Sequence, residues 1–283
     1  ALIDAFRAVK DSQKPVVVHI HTQKGKGYKF AEEDHETWHY RMPFDIETGA
    51  LKQPYTDPFL AATVDFVKAE AARNPNFVFL AAGTMGGIGL TPVDRAALGT
   101  QYVDVGIAEE QAVAMASGLA RGGARPIFGT YSTFFQRVYD QMAQDVAVNN
   151  NPAVFLSTYA TLYGMNDVTH LGFFDIPLFA NIPNLVFLAP AGLEEYLAVL
   201  RWAIAQTAHP VMIRVPVMGY ETSPYPVRTD YSALNRYQIV TEGAEVAIIG
   251  AGNFAQMASD VAAELAKDGV HATVINPIFL SGL

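Results

Sequence analysis

The 283-residue sequence is 51% hydrophobic and 17% charged, with a formal net charge of −9. This composition describes a folded globular chain and makes nucleic acid and anionic membrane surfaces poor partners. It contains no cysteine, which excludes disulfides, zinc thiolate sites and thiol nucleophiles.

The chain opens on a helical pattern, ALIDAFRAVK, and a strand is predicted over 15–21 (PVVVHIH), followed by KGKGY and a polar connection. Asp57 and Pro58 form a helix start, an N-cap with proline at the first helical position, and that helix runs to Arg73. Short apolar strands are predicted at 77–81, 102–105, 126–130, 153–157, 184–188 and 210–215, with helices at 107–121, 133–148 and 192–206. Continuous apolar strands alternating with helices predict an α/β fold, a parallel sheet covered by helices on both faces. Residues 219–243 are rich in turn formers and charge and read as a linker. A last βαβ unit follows, too small to fold alone, so it reads as the start of another domain. Both ends interrupt a pattern, and a piece of a longer protein, or one subunit of a split one, is expected. No apolar run reaches spanning length and no signal peptide is visible; a cytoplasmic location is expected.

Ligands of open parallel sheets bind at the carboxyl ends of the strands, so the loops there carry the candidates. DVGIAEEQAV places Glu109 and Glu110 where a strand meets an apolar helix. One carboxylate in a first helical turn complements the dipole, by about 0.3–1 kcal/mol; one on the apolar side needs another reason. YSTFFQRVYDQ puts Tyr131, Phe134 and Arg137 at helical spacing, either as core packing with a local Arg137–Asp140 pair or as a platform for a flat heterocycle. The long loop TYATLYGMNDVTHLGFFD holds His170, and TWHYRMPFD holds His39; each has a structural reading beside a functional one. GAGNFA matches G-x-G-x-x-A, but the next strand ends in Asn276 where a ribose-binding acid belongs, so a tight strand–helix turn is favoured over a nicotinamide site.

Taken together, KGKGY, WHYRMPFD, DVGIAEEQAV, YSTFFQRVYDQ and GMNDVTHLGFFD resemble the thiamine diphosphate enzymes of the transketolase superfamily, most closely its 1-deoxy-D-xylulose-5-phosphate synthase branch. The resemblance implies that residues 1–50 end a diphosphate-binding domain. It implies a pyrimidine-binding domain over 55–218, the linker at 219–243 and the start of a C-terminal domain over 244–283. It further implies thiamine diphosphate and Mg²⁺ as cofactors, a homodimer, and a carboligase that decarboxylates a 2-keto acid and passes two carbons to an aldehyde. In that family the glutamate at the place of Glu109 hydrogen-bonds N1′ of the aminopyrimidine, and sharing a proton there activates the 4′ nitrogen as a base. Phe134 is implied to stack on the pyrimidine, with Tyr131 and Arg137 beside it; Tyr28, His39 and His170 to face the reacting substrate; Tyr159 and Asn166 to face the acceptor. Glu110 keeps the helix-start role.

The sequence departs from the family pattern in three places. No Gly-Asp-Gly occurs, so the diphosphate and metal half of the site is expected elsewhere and no metal ligands are assigned in this chain. Tyr159 and Val217 stand where the family has two arginines that grip the acceptor's phosphate, and Asn166 replaces an aspartate that meets the sugar hydroxyls. The family's Glu-Gln-His reads Glu109-Glu110-Gln111. Arginine supplies a bidentate grip that tyrosine and valine lack, so an unphosphorylated acceptor is expected. A true synthase with another phosphate grip, a non-catalytic subunit and a nicotinamide-binding domain are the competing readings.

Overall fold

The computed structural model describes residues 1–53, 56–161, 168–170, 172, 174–217, 219–223 and 225–281. They fall into two compact units, Ala1–Thr56 and Asp57–Leu283. In the first, α1 (Leu2–Val9) buries none of its residues and α2 (Lys29–Glu33) buries Ala31. Tyr28, Phe30, Trp38 and Phe44 form a knot of packed rings, with the Arg41 guanidinium 5.0 Å above Trp38. The strand predicted at 15–21 is not one: the segment joins no ladder among the described residues, and Val17 is 93% exposed. Its composition suits a strand, but a strand exists only by pairing.

The second unit is built on a six-stranded sheet. In chain order its elements are α3 (Pro58–Arg73), β1 (Phe77–Ala81), α4 (Pro92–Leu98), β2 (Tyr102–Asp104), α5 (Glu109–Arg121), β3 (Arg125–Tyr131), α6 (Tyr139–Gln141), β4 (Val154–Thr158), α7 (Asp175–Phe179), β5 (Val186–Leu188), α8 (Leu193–Ala205) and β6 (Val211–Val215). The strands run in spatial order β2-β1-β3-β4-β6-β5, every neighbouring pair parallel. Successive side chains point to opposite faces, and both faces are apolar. Phe79, Ile127, Leu156 and Ile213 join one core with Phe59 of α3 and Tyr196 of α8. Leu80, Phe128, Phe155 and Met212 join another with Ala112 and Ala116 of α5 and Phe179 of α7. This two-sided burial is why the strands read as unbroken apolar runs.

Two helices begin as their sequences dictate. The Asp57 carboxylate accepts from the amides of Phe59 (2.9 Å) and Leu60 (3.3 Å) ahead of Pro58. Thr91 and Asp94 cap α4 reciprocally, with Pro92 at the start; TPVD carries the same kind of start signal as Asp57-Pro58, and this helix is additional to those predicted. The helix expected at 133–148 is instead a 3₁₀ segment (Ser132–Val138), α6 and a π-helix (Met142–Ala147). The Asp145 carbonyl accepts from Ser117 Oγ (2.6 Å) and Asn149 Nδ2 (3.0 Å). Bonds of this kind draw a carbonyl out of the regular ladder and favour a wider turn.

A second sheet, of order β7-β9-β8, comprises β7 (Gln238–Thr241), β8 (Val246–Ile249) and β9 (Ala272–Asn276), with α9 (Phe254–Lys267) crossing between the parallel pair β8 and β9. β7 lies inside the stretch read as a linker. Its polar flanks hide a short edge strand that is recognisable only beside β9.

The two sheets share a buried polar clasp. Glu195 of α8 is fully buried, and its Oε2 accepts from the Ala191 amide (2.8 Å) and the Tyr225 hydroxyl (3.1 Å). Asn276, at the end of β9, donates to Tyr225 and accepts from the Ile278 amide. Asn276 therefore serves packing, which explains the absent acid after GAGNFA. Among the described residues Glu195 Oε1 has no hydrogen-bond partner, and burial pushes the carboxyl above the usual carboxylate range against the bonds from Ala191, Tyr225 and Asn276. The protonated form thus favours the fold: this contribution is full below the unfolded pKa and is lost as pH rises through the raised folded value. Glu195→Gln, which keeps the shape without the charge, will flatten the dependence of urea-unfolding free energy on pH across that window and exceed the wild type at neutral pH. A variant with the wild-type slope rules out Glu195 as the source.

Among the described residues no helix is long and apolar enough to cross a membrane.

Candidate active site

The strand order decides where a ligand can sit. The chain leaves β1 towards β2 on one side and leaves β3 towards β4 on the other, so a crevice opens at the carboxyl ends of β1 and β3. Three loops converge there. Asp104, the last residue of β2, accepts from the amides of Gly83 and Gly106, each at 2.9 Å, tying the loop after β1 to the loop after β2. Gly106 has φ +73°, a turn that favours glycine, and three residues on Glu109 opens α5. Thr84 and the buried Thr130 hydrogen-bond at 3.0 Å between the loop after β1 and β3. Gly87 lies beneath the Tyr131 ring: a Cβ there would stand 2.6 Å from Cζ.

Glu109 is 2% exposed, whereas Glu110 faces solvent. The Glu109 Oε2 atom is buried with no hydrogen-bond partner among the described residues, and Arg137 Nη1 stands 3.8 Å from it. Leaving a buried carboxylate oxygen without a hydrogen bond costs about 1–3 kcal/mol or more, the mark of a group kept for something other than stability. Arg137 is 57% exposed, so its screened attraction offsets little of this.

An aromatic cluster forms at the carboxyl end of β3. Tyr131 packs against Phe134 (5.5 Å between centroids), Tyr159 (4.9 Å) and His170 (5.0 Å), and Phe134 meets His170 at 5.4 Å. Tyr159 holds its ring there from a left-handed backbone, φ +55°, a strain of about 1–3 kcal/mol. Thr169 hydrogen-bonds the His170 Nδ1 at 2.8 Å.

The structure thus pairs Glu109 with Arg137 and gathers Tyr131, Phe134, His170 and Tyr159 into one cluster of rings, with Phe134 and Arg137 on the same segment, Ser132–Val138. Tyr28 and His39 belong to the unit Ala1–Thr56. There the Tyr28 hydroxyl donates to the Ile46 carbonyl at 3.0 Å, and burial, then Asp45 and Glu47, push its phenol upward; His39 pairs with Lys24. Asn166 lies outside the described residues. Thr84, Gly87 and Asp104 were missed, although the glycine-rich run after β1 is the signal a known strand order would have singled out. The residues suit a flat heterocycle with a ring nitrogen able to share a proton: Glu109 Oε2 has room for a hydrogen-bond donor, and the Phe134 ring is only partly buried. Among the described residues no three His, Cys, Asp or Glu side chains stand close enough to hold a metal ion.

The family model for the transketolase pyrimidine-binding domain matches residues 59–222, and that for the transketolase C-terminal domain matches 235–283. The chain belongs to the transketolase family. Within the family it is similar to the 1-deoxy-D-xylulose-5-phosphate synthase of Clostridium acetobutylicum, 36% identical over 99% of this chain and 45% of that protein. It is likewise similar to that of Thermomicrobium roseum, 37% identical over all of this chain and 44% of that protein. The chain therefore spans less than half the length of these curated relatives. Among solved structures, the transketolase of Campylobacter jejuni superposes with a TM-score of 0.68 at 19% identity, over 78% of this chain and 35% of that one. A split-gene transketolase, solved as an inactive β4 tetramer, superposes with a TM-score of 0.64 at 21% identity, over 77% and 69%. Both show the same fold.

Proposed function

We propose that this chain carries the aminopyrimidine-binding part of a thiamine diphosphate-dependent carboligase of the 1-deoxy-D-xylulose-5-phosphate synthase type. Residues 1–50 are then the tail of a diphosphate-binding domain, 55–218 the pyrimidine domain, 219–243 a linker and 244–283 the start of the C-terminal domain. The diphosphate and Mg²⁺ belong to the part of the protein outside this chain, and the working enzyme is a homodimer. The observation that carries this reading is the buried Glu109 Oε2, which has no hydrogen bond among the described residues, at the switch point of the sheet.

The cofactor supplies the electron sink for cleaving a 2-keto acid and transferring its two-carbon unit to an aldehyde. Glu109 holds a proton at N1′ of the pyrimidine, and burial keeps water from competing for it. Phe134 stacks on the ring, and Tyr131, seated on Gly87, fixes the position of Phe134. Arg137 limits the charge at Glu109 without neutralising it through a hydrogen bond. His170, oriented by Thr169, is placed to donate to a developing alkoxide or to move a proton at the substrate oxygen.

The acceptor in this reading is an unphosphorylated aldehyde or sugar. Tyr159 is packed on Tyr131 and Val217 is buried, so neither family position offers a guanidinium. With about 1.5–3 kcal/mol absent per charged hydrogen bond, the kcat/KM advantage of glyceraldehyde 3-phosphate over an unphosphorylated aldehyde will be smaller by roughly tenfold or more than in a site that keeps both arginines. An undiminished preference for the phosphorylated acceptor returns the protein to the ordinary synthases. The wider reading is tested by calorimetric titration of the complete protein with thiamine diphosphate and Mg²⁺, followed by pyruvate turnover. Saturable binding with decarboxylation supports it; neither binding nor turnover overturns it.

A further inference from the structure

Where the carboxyl ends of β4 and β6 face the loop after β8, there is a cavity of about 420 Å³, within the range of small-molecule sites, lined by Thr161, Asp175, Ile176, Arg214, Ile249 and Phe254 among others. None of its lining residues belongs to the Glu109 cluster. The Arg214 guanidinium, 11% exposed, is fixed in place by Asp175: Nε donates to Oδ2 at 2.5 Å and Nη2 to Oδ1 at 3.3 Å. Among the described residues its Nη1 has no acceptor, so an oriented donor remains on the cavity wall. The opposite wall is the turn of GAGNFA, which includes Ala251 and Phe254 and leads into the 14-residue α9. The side chain of its N-cap, Asn253, does not cap the helix but donates to Thr161 Oγ1 at 3.3 Å. The first-turn amides thus keep their preference for a negative group.

We propose that this cavity binds a small monocarboxylate with an apolar body. The guanidinium and the helix start both favour an anion. Asp175 already neutralises most of the guanidinium charge, so the site suits one negative charge and disfavours a phosphate dianion. Ile176, Ile249 and Phe254 give the rest of the ligand an apolar surface; Ile249 is 68% and Phe254 42% exposed, and an occupant would remove both from water. The motif that does not fit a dinucleotide thereby acquires a use.

The test is a calorimetric titration of the complete protein with sodium benzoate, with benzamide and inorganic phosphate as comparison probes. Benzoate is expected to saturate one site and to bind more tightly than either comparison probe. Ile249→Asp, which sets a second carboxylate at the rim on an already exposed position, is expected to weaken benzoate by about tenfold or more with an unchanged melting temperature. Phe254→Ala weakens it for loss of apolar contact. Glu109→Gln leaves it unaltered, which separates this site from the one proposed for the cofactor. No saturation, phosphate binding as tightly as benzoate, or Ile249→Asp binding like the wild type each overturns the proposal.

Discussion

Glu109→Gln in the complete protein lowers 2-keto acid turnover by about 10²–10⁴, the scale of a positioned proton-transfer group. Glutamine keeps the size and a carbonyl oxygen, but it cannot hold a proton at a ring nitrogen as a carboxyl does. The loss should appear in kcat with cofactor saturating, because the defect is in activation rather than in burial of the ring. Stability moves the other way. Glu109 has a buried oxygen without a hydrogen bond among the described residues, so a neutral replacement relieves a desolvation cost and the melting temperature stays level or rises. This opposition of activity and stability distinguishes a catalytic carboxylate from one that only starts a helix. Glu110→Gln is the control: it is exposed in the first turn of α5 and should shift stability by no more than about 0.3–1 kcal/mol. Full turnover in Glu109→Gln would sink the proposed function.

Arg214→Met carries the largest expected loss of stability. Its partner, Asp175, is 2% exposed, and the pair is bidentate. Removing the cation leaves a carboxylate buried without it, at a cost of about 3–5 kcal/mol. For a unit of this size the melting temperature should fall on the order of 10 °C. Converting both residues, as Arg214→Met with Asp175→Leu, should restore most of the loss, because a well-packed apolar pair is close to neutral in such sites. Urea midpoints for the wild type, each single variant and the double variant close the cycle. If Arg214→Met costs less than about 1 kcal/mol, the pair is solvated like a surface ion pair, and the oriented donor on the cavity wall is lost as an argument.

Much of the candidate site is legible in order along the chain. Glu109 follows a strand, Tyr131 and Phe134 follow the next, and His170 follows a third, all at carboxyl ends where parallel sheets bind ligands. Partners across the chain are less legible. Arg137 suggested a local pair with Asp140, but its guanidinium stands 3.8 Å from Glu109. Nothing within a helical turn of Arg137 encodes that approach, which depends on β2 and β3 flanking β1. Tyr159 is a similar case: only the positive φ after β4 turns its ring onto Tyr131.

By itself the sequence determined the periodicities, and with them the class of fold. Apolar runs of strand length separated by helices have one stable arrangement, a parallel sheet with both faces covered, because every strand side chain must leave water. Capping residues at Asp57 and Thr91 determined where helices begin, since those bonds are local. Tertiary structure alone decided the strand order β2-β1-β3-β4-β6-β5, the edge strand β7, the π turn of Met142–Ala147 and the clasp at Glu195. Each depends on groups far apart in the chain competing for the same buried space. A local window shows which residues avoid water but not which neighbours they avoid it with, and the place of the crevice follows from that second choice.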